Sequence, residues 1–177
     1  MLEVELKVKI PSLDPVREAL IKREALFVRK VHEHDIYYNA PHRDFGQTDE
    51  AVRVRYTNDH AVVTYKGPKI RKFGLKAREE LNFAVECGAT FETMLDRLGF
   101  VKTTEVDKWR ESFRLNDASI ELDTVDELGT FVEIEVITEN ESDNPAEKIE
   151  RLALELGVKG EPLLESYLEL LLKKRGR

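Results

Sequence analysis

Residues Glu3 to Ile10 alternate ionisable and apolar side chains without a break, which is the period of a β-strand and of no helix. One face of such a strand is aliphatic, and the other carries carboxylates and ammoniums together. A surface strand of an antiparallel sheet can turn a face of this kind to water, so this strand alone leaves two arrangements open. The same alternation returns along the chain. Val52 and Val54 oppose Arg53 and Arg55; Val62, Thr64 and Lys66 share a face; Arg78, Glu80 and Asn82 oppose Leu81, Phe83 and Val85; Lys108 and Arg110 oppose Trp109 and Phe113. Ser119–Asp123 and Phe131–Val136 flank a short turn ending in Leu128-Gly129, and both put carboxylates on one face.

The segments between these strands carry helix and turn signals. Asp14-Pro15 starts a helix that the apolar spacing of Val16, Leu20 and Phe27 carries to about Phe27. Thr90 caps a second helix through Leu98, Asn144-Pro145 opens a third that Gly157 ends, and a leucine-rich fourth follows Pro162. Residues 29 to 38 read as a strand. Asn58-Asp59 and Asn116-Asp117 read as turns, and 67 to 77 as a mobile basic loop.

The chain has 177 residues, enough for one domain with a substantial core, taken as 1–177. No stretch approaches the roughly 18–20 apolar residues of a membrane span, and the N-terminus lacks a signal-peptide pattern, which places the protein in the cytoplasm, away from membranes. Cys87 stands alone, ruling out an internal disulfide, and reads as a small buried residue. A net charge of -7 argues against nucleic acid as the partner.

Charge composition decides how the strands are arranged. Their apolar faces include large side chains that helices must cover, so the charged faces look at one another, and closing the sheet produces a barrel with a polar lumen. That lumen would hold Lys7, Lys9, Arg53, Arg55, Lys66, Lys76, Arg78, Lys108, Arg110 and Arg114. So many cations repel one another in a closed space unless an anion occupies it, and a triphosphate fits. Carboxylates beside a polyphosphate need a hard cation between them. Mg²⁺, or Mn²⁺ in its place, suits Glu3, Glu5, Asp123, Glu133 and Glu135.

The segments Glu3-x-Glu5-x-Lys7, Arg53-x-Arg55, Thr64-Tyr65-Lys66-Gly67-Pro68, Arg78-x-Glu80, Lys108-x-Arg110 and Leu122-Asp123 through Glu135 closely resemble the CYTH superfamily of triphosphate tunnel metalloenzymes. Asp35-x-Tyr37 and Arg43-Asp44-Phe45 are most similar to its class IV adenylyl cyclase branch. The resemblance implies an α+β fold, a closed eight-stranded antiparallel tunnel with flanking helices. It implies that Lys7, Arg53, Arg55, Lys66, Arg78, Lys108 and Arg110 bind the triphosphate, with Lys9 and Lys76 as additional candidates and Tyr37 as a lining residue. The activity it implies is conversion of ATP to cyclic AMP and pyrophosphate. Hydrolysis of inorganic or thiamine triphosphate, and polyphosphate binding without turnover, are the alternatives. Asn82 departs from the family's R-x-E-x-E pattern, leaving that strand to bind metal or only to shape the tunnel. No side chain stands out as a general base. His32 and His34 flank Glu33 but read as packing or surface residues, and Trp109 as an outward one. Apolar surface left on the strands and last helix suits a homodimer.

Overall fold

The computed structural model describes residues 2–58, 60–72, 75–138 and 144–176, with the backbone alone at 2, 71, 72 and 75–77. Strand β1 (Leu2–Lys9) lies inside the sheet that its alternation demands, paired with β10 (Gly129–Thr138) on one side and β6 (Leu75–Arg78) on the other. The remaining strands are β2 (Leu26–Asn39), β3 (Ala51–Thr57), β4 (His60–Lys66), β5 (Ile70–Lys72), β7 (Glu80–Val85), β8 (Val101–Leu115) and β9 (Ala118–Val125). Among the described residues they form one antiparallel sheet in the order β5-β6-β1-β10-β9-β8-β2-β3-β4-β7. Eight of these strands are six residues or longer, and only β5 and β6 are shorter. Five helices complete the chain: α1 (Asp14–Lys22), α2 (Phe45–Thr48), α3 (Gly88–Arg97), α4 (Pro145–Glu155) and α5 (Tyr167–Lys174).

The closed barrel expected from the sequence is instead a curled half-barrel. Closure would need β1 to ladder with β4, and among the described residues it does not. The chain from Leu75 to Val85 straddles the gap: β6 sets Arg78 opposite Glu3, and two residues later β7 sets Glu80 opposite Lys66. One strand thus serves both edges in turn and can give each only a few residues of pairing. At the crossover, the Gly67 amide donates to the Glu79 carbonyl at 3.0 Å.

Alternation sends the aliphatic faces outward under the helices. Val4, Leu6, Val8, Ile120, Leu122, Val132, Ile134 and Val136 pack with Leu20 of α1 and Ile149 and Leu152 of α4. Ile36, Val54 and Val63 pack against Leu95 of α3, and Phe131 and Val125 against Tyr167 and Leu171 of α5. Among the described residues no helix is long and apolar enough to cross a membrane.

Several boundaries differ from the sequence reading. Helix α1 stops at Lys22, because Glu24 takes φ 56° and turns the chain; Phe27 then lies half exposed in β2 rather than in the helix core. The segment expected to be a mobile loop at 67–77 contains the β5–β6 hairpin, and Lys69 anchors it. Its Nζ lies 3.1 Å from Asp49 Oδ1 and 2.5 Å from Glu169 Oε1. Cys87 is exposed at the N-cap of α3 rather than buried. Helix α5 starts at Tyr167 after the N-cap Ser166, whose capping box with Glu169 satisfies the first amides, while Pro162 bridges to Val8. Asn58 turns with φ 52°, and its expected partner Asp59 lies outside the described residues.

Ile134 has no exposed surface and, with Val132 and Val136 on the same face, packs β10 against the helical layer. Ile134→Ala is expected to lower stability by about 2–5 kcal/mol, read as a lower urea midpoint with an unchanged slope; a midpoint within error of the parent would refute this packing.

Candidate active site

The concave face of the sheet surrounds a cavity of about 550 Å³ whose lining is mostly ionisable. Strand register explains how they are tolerated there. Lys7 stands opposite Glu133, Glu33 opposite Lys108, Asp35 opposite Arg55, Arg110 opposite Asp123, and Lys66 opposite Glu80. Cross-strand neighbours sit about 4.5–5.5 Å apart at Cβ, close enough for each cation to meet its carboxylate.

The resulting ion pairs form a continuous network. Arg55 grips Asp35 with two bonds, Nε to Oδ1 at 2.6 Å and Nη2 to Oδ2 at 2.7 Å, and reaches Glu33 Oε2 at 2.9 Å. Lys108 lies 3.3 Å from the same Glu33 oxygen and 3.6 Å from Asp123. Arg110 donates to Asp123 from Nε at 2.7 Å, and its Nη2 also bonds Glu133. Lys7 Nζ lies 3.2 Å from both Glu5 and Glu133. Arg53 donates from Nη2 to Thr64 Oγ1 at 3.0 Å, Thr64 in turn donates to Asn82 Oδ1 at 2.7 Å, and the Arg53 Nε is buried without an acceptor.

Burial by itself would raise the carboxyl pKa values here. At Glu33 the charges of Lys108, Arg55 and Arg110 outweigh burial and hold it down to about 2. Asp35 is held below its ordinary range in the same way, chiefly by Arg55 and Arg53. Lys7 and Arg110 are raised against their burial, Lys7 by Glu5 and Glu133, Arg110 by Asp123 and Glu133. Glu135 goes the other way. Burial and the nearby charges of Glu3, Glu133 and Glu5 push it up to about 8, outweighing Arg110. Carboxylates therefore crowd one another at this end of the cavity.

Of the residues singled out from the sequence, Lys7, Arg53, Arg55, Lys66, Arg78, Lys108, Arg110, Glu3, Glu5, Glu133, Glu135 and Tyr37 all line this one cavity. Asp123 is fully buried behind it, held by Arg110 and by the Tyr167 hydroxyl at 2.8 Å. Arg78 spends its guanidinium on backbone, donating to the Gly67 carbonyl at 2.7 Å and that of Asp49 at 2.8 Å. Lys9 and Arg114, both expected inside, stand outside the lining and exposed, Lys9 at 5.7 Å from the centre of the Phe131 ring. Lys76 lies opposite Glu5 in the backbone register, and its side chain is outside those described. Asn82 holds Thr64, and through it Arg53, which is a shaping role.

Glu33, Asp35 and Tyr167 were missed as site residues. The signal for the first two was the alternation itself: with His32 and His34 outward, Glu33 and Asp35 must face in beside Tyr37. His34 Nδ1 indeed lies 2.9 Å from Asp107 on the outer face, where His32 stacks near Trp109. Tyr167 carried no local signal. Its ring lies 4.4 Å from Lys7 Nζ and 5.0 Å from Lys108 Nζ because α5 folds back across the cavity.

As donors, Glu3, Glu5, Glu133 and Glu135 offer a hard divalent cation the oxygens it prefers, and their mutual repulsion fits a positive charge among them. Among the described residues no three such groups already converge on one point. Glu5 and Glu133 are turned onto Lys7 and Arg110, so binding an ion there requires those cations to release them.

An antiparallel half-barrel with a concave face of paired Lys, Arg and carboxylate side chains defines the class of protein, and comparison with known proteins supplies the family. The CYTH domain model matches residues 1–167, and the chain belongs to that family. A protein of Methanocaldococcus jannaschii named "Putative adenylate cyclase" is 38% identical over 173 residues, covering 96% of this chain and 98% of that one. The structure of PH1819 from Pyrococcus horikoshii superimposes with a TM-score of 0.85 at 39% identity, covering 98% of this chain and 99% of that one. A Hippeastrum protein described as a "putative adenylyl cyclase" with a dominant triphosphatase activity gives a TM-score of 0.72 at 18% identity, covering 99% and 96%; at that identity the likeness is one of fold.

The raised pKa of Glu135 has a consequence for stability. Its folded value of about 8 lies above the ordinary 4.5, so between those values the folded chain holds a proton that the unfolded chain has lost, and stability falls as pH rises through this window. Glu135→Gln is expected to raise the melting temperature of metal-free protein at pH 8 and to change it little at pH 5, each kcal/mol recovered being worth about 2–4 °C. Equal shifts at both pH values, measured by calorimetry, would contradict the repulsion.

Proposed function

We propose that this protein is a metal-dependent enzyme that acts on a triphosphate held in the cavity, most directly as an adenylyl cyclase forming 3′,5′-cyclic AMP and pyrophosphate from ATP. The observation that carries the reading is the convergence of Lys7, Arg53, Arg55, Lys66, Lys108 and Arg110 on one cavity, each within reach of a carboxylate that a phosphate can replace. Arg55 and Arg110 already make forked pairs with carboxylates, the same geometry with which a guanidinium grips phosphate oxygens. Lys7 and Lys108 act as point charges, oriented by the Tyr167 ring. Arg78 shapes the mouth through its two carbonyl bonds.

Phosphate oxygens that take over these cations release Glu5 and Glu133, which with Glu3, Glu135 and the deeper Asp123 would hold Mg²⁺ or Mn²⁺. When bound, that ion supplies Lewis-acid neutralisation of phosphate charge and a lowered pKa for a coordinated hydroxyl or water. In cyclisation the ribose 3′-oxygen forms a bond to the α-phosphorus as the bond to the β-phosphate oxygen breaks, and pyrophosphate leaves with its charge spread over the lysines and arginines. Hydrolysis in the same cavity uses water as the nucleophile, and the activity described for the Hippeastrum protein favours keeping it as the second reading. The reading also carries a homodimer, for which Leu81 and Phe83, more than half exposed on edge strand β7, offer apolar surface.

The test is chromatographic product analysis after incubation with ATP, inorganic triphosphate or thiamine triphosphate and Mg²⁺ or Mn²⁺. Cyclic AMP with pyrophosphate is expected from ATP. Lys66→Ala is expected to lower kcat/KM by about 10²-fold, and Glu133→Gln to abolish metal-dependent turnover. Orthophosphate without cyclic nucleotide would replace the cyclase with a triphosphatase. Tight binding without any product would leave a polyphosphate-binding module.

A further inference from the structure

On the outer face of the sheet, away from the cavity, two histidines of β2 meet one carboxylate of β8. His32 and His34 are two residues apart on one strand, so alternation puts both on the same face. Asp107 stands directly opposite His34 in the ladder and diagonal to His32, whose own opposite number is Trp109. The side chains converge: His34 Nδ1 lies 2.9 Å and His32 Nε2 3.5 Å from the same oxygen, Asp107 Oδ1. The three side chains are between 31% and 45% exposed, which leaves them open to an ion from solvent.

Asp107 differs from the carboxylates of the cavity in its partners. Among the described residues its ion pairs are with these two imidazoles alone, whereas Glu33, Asp35 and Asp123 are each held by arginine. Glu105, the preceding outward residue of β8, adds negative charge near His34, although Lys102 pairs with it. Two imidazole nitrogens and a carboxylate oxygen suit zinc and its neighbours in the transition series, whereas Mg²⁺ and Ca²⁺ prefer oxygen throughout. A tetrahedral ion with ligands at about 2.0–2.2 Å keeps the ligand atoms about 3.3–3.6 Å apart, so the two separations here need change by only a few tenths of an ångström. The Asp107 carboxylate accepts a hydrogen bond from His34 Nδ1, and among the described residues no three groups already stand at coordinating distance around one point. An ion takes the place of that hydrogen: the proton of neutral His34 moves to Nε2, and the Nδ1 lone pair turns to the metal.

We propose that His32, His34 and Asp107 form a binding site for a divalent transition-metal ion of the zinc class, separate from the cavity and clasping β2 to β8. Water completes the coordination. The inference stands on the outer-face geometry and is independent of what the cavity binds. Because Glu33 and Asp35 alternate with the histidines and Lys108 follows Asp107, the ion fixes from outside the strand segments that present those three charges to the cavity.

Trp109 is the chain's single tryptophan, and its ring lies 5.2 Å from that of His32, so its fluorescence reports on the site directly. Cu²⁺, a short-range quencher of indole fluorescence, is titrated into the full chain with Mg²⁺ in large excess to compete at the carboxylates of the cavity, and Zn²⁺ then displaces it. Saturable quenching at one equivalent, reversed by Zn²⁺, is expected. The affinity is expected to fall about tenfold or more in His34→Ala and in Asp107→Asn, at least what loss of a supporting group costs a metal site. It is expected to stay unchanged in His42→Ala, on the loop before α2. Zn²⁺ is expected to raise the melting temperature of the parent but of neither ligand variant, and melting without metal certifies that each variant is folded. Quenching that does not saturate, an affinity within about twofold of the parent in either folded ligand variant, or a Zn²⁺-induced melting shift that both variants keep overturns the site.

Discussion

Every other feature of this molecule depends on one constraint: the long strands of the sheet must bury charged side chains on their concave face. Isolated charges cannot be moved there without a cost of several kcal/mol each. The register removes most of that cost, because Lys7, Arg55, Lys108 and Arg110 each face a carboxylate on the next strand. A slip of one residue in any ladder would reverse every side chain and strand these charges in the aliphatic layer. Charge pairing and aliphatic packing therefore demand the same alignment, and each helps hold the other.

The pairing is uneven, and the unevenness is informative. Around Arg53, Arg55 and Glu33 the charges balance closely, and the carboxyls are held strongly ionised. Around Glu3, Glu5, Glu133 and Glu135 burial and the repulsion of neighbouring carboxylates keep one carboxyl protonated to near neutrality. Buried ion pairs contribute little net stability compared with apolar packing. Retaining them here makes physical sense if they are interchangeable with a ligand: a polyanion and a hard cation together could replace such pairs and relieve the repulsion among the carboxylates.

Half-closure of the sheet serves the same end. Because the chain from Leu75 to Val85 serves β1 and then β4, the wall is completed without a continuous ladder. The mouth beside it is built from the β5–β6 hairpin, α2 and α5. These supply Arg78, Tyr167, the Lys69 ties and a small acidic apolar chamber.

Strand identity and the inward set Lys7, Arg53, Arg55, Lys66, Lys108, Arg110, Glu5 and Glu133 were legible in the sequence, since a period of two leaves each side chain only one of two faces and the aliphatic set claims the outer one. Glu33 and Asp35 obey the same rule and were readable from it, but the flanking histidines drew attention to the wrong face of β2. Other features had no local signature. Phe27 fits a helical period, yet the left-handed turn at Glu24 passes it to a strand. Lys9 shares the parity of Lys7, yet the end of β1 carries it past the cavity. Sequence alone determined which side chains could face one another, because alternation is a property of neighbouring residues. Tertiary structure alone decided that the barrel stays open, that Tyr167 comes back from 160 residues beyond Lys7 to lie beneath it, and that carboxylates gather at the mouth, because those depend on where strand ends and helices meet in space.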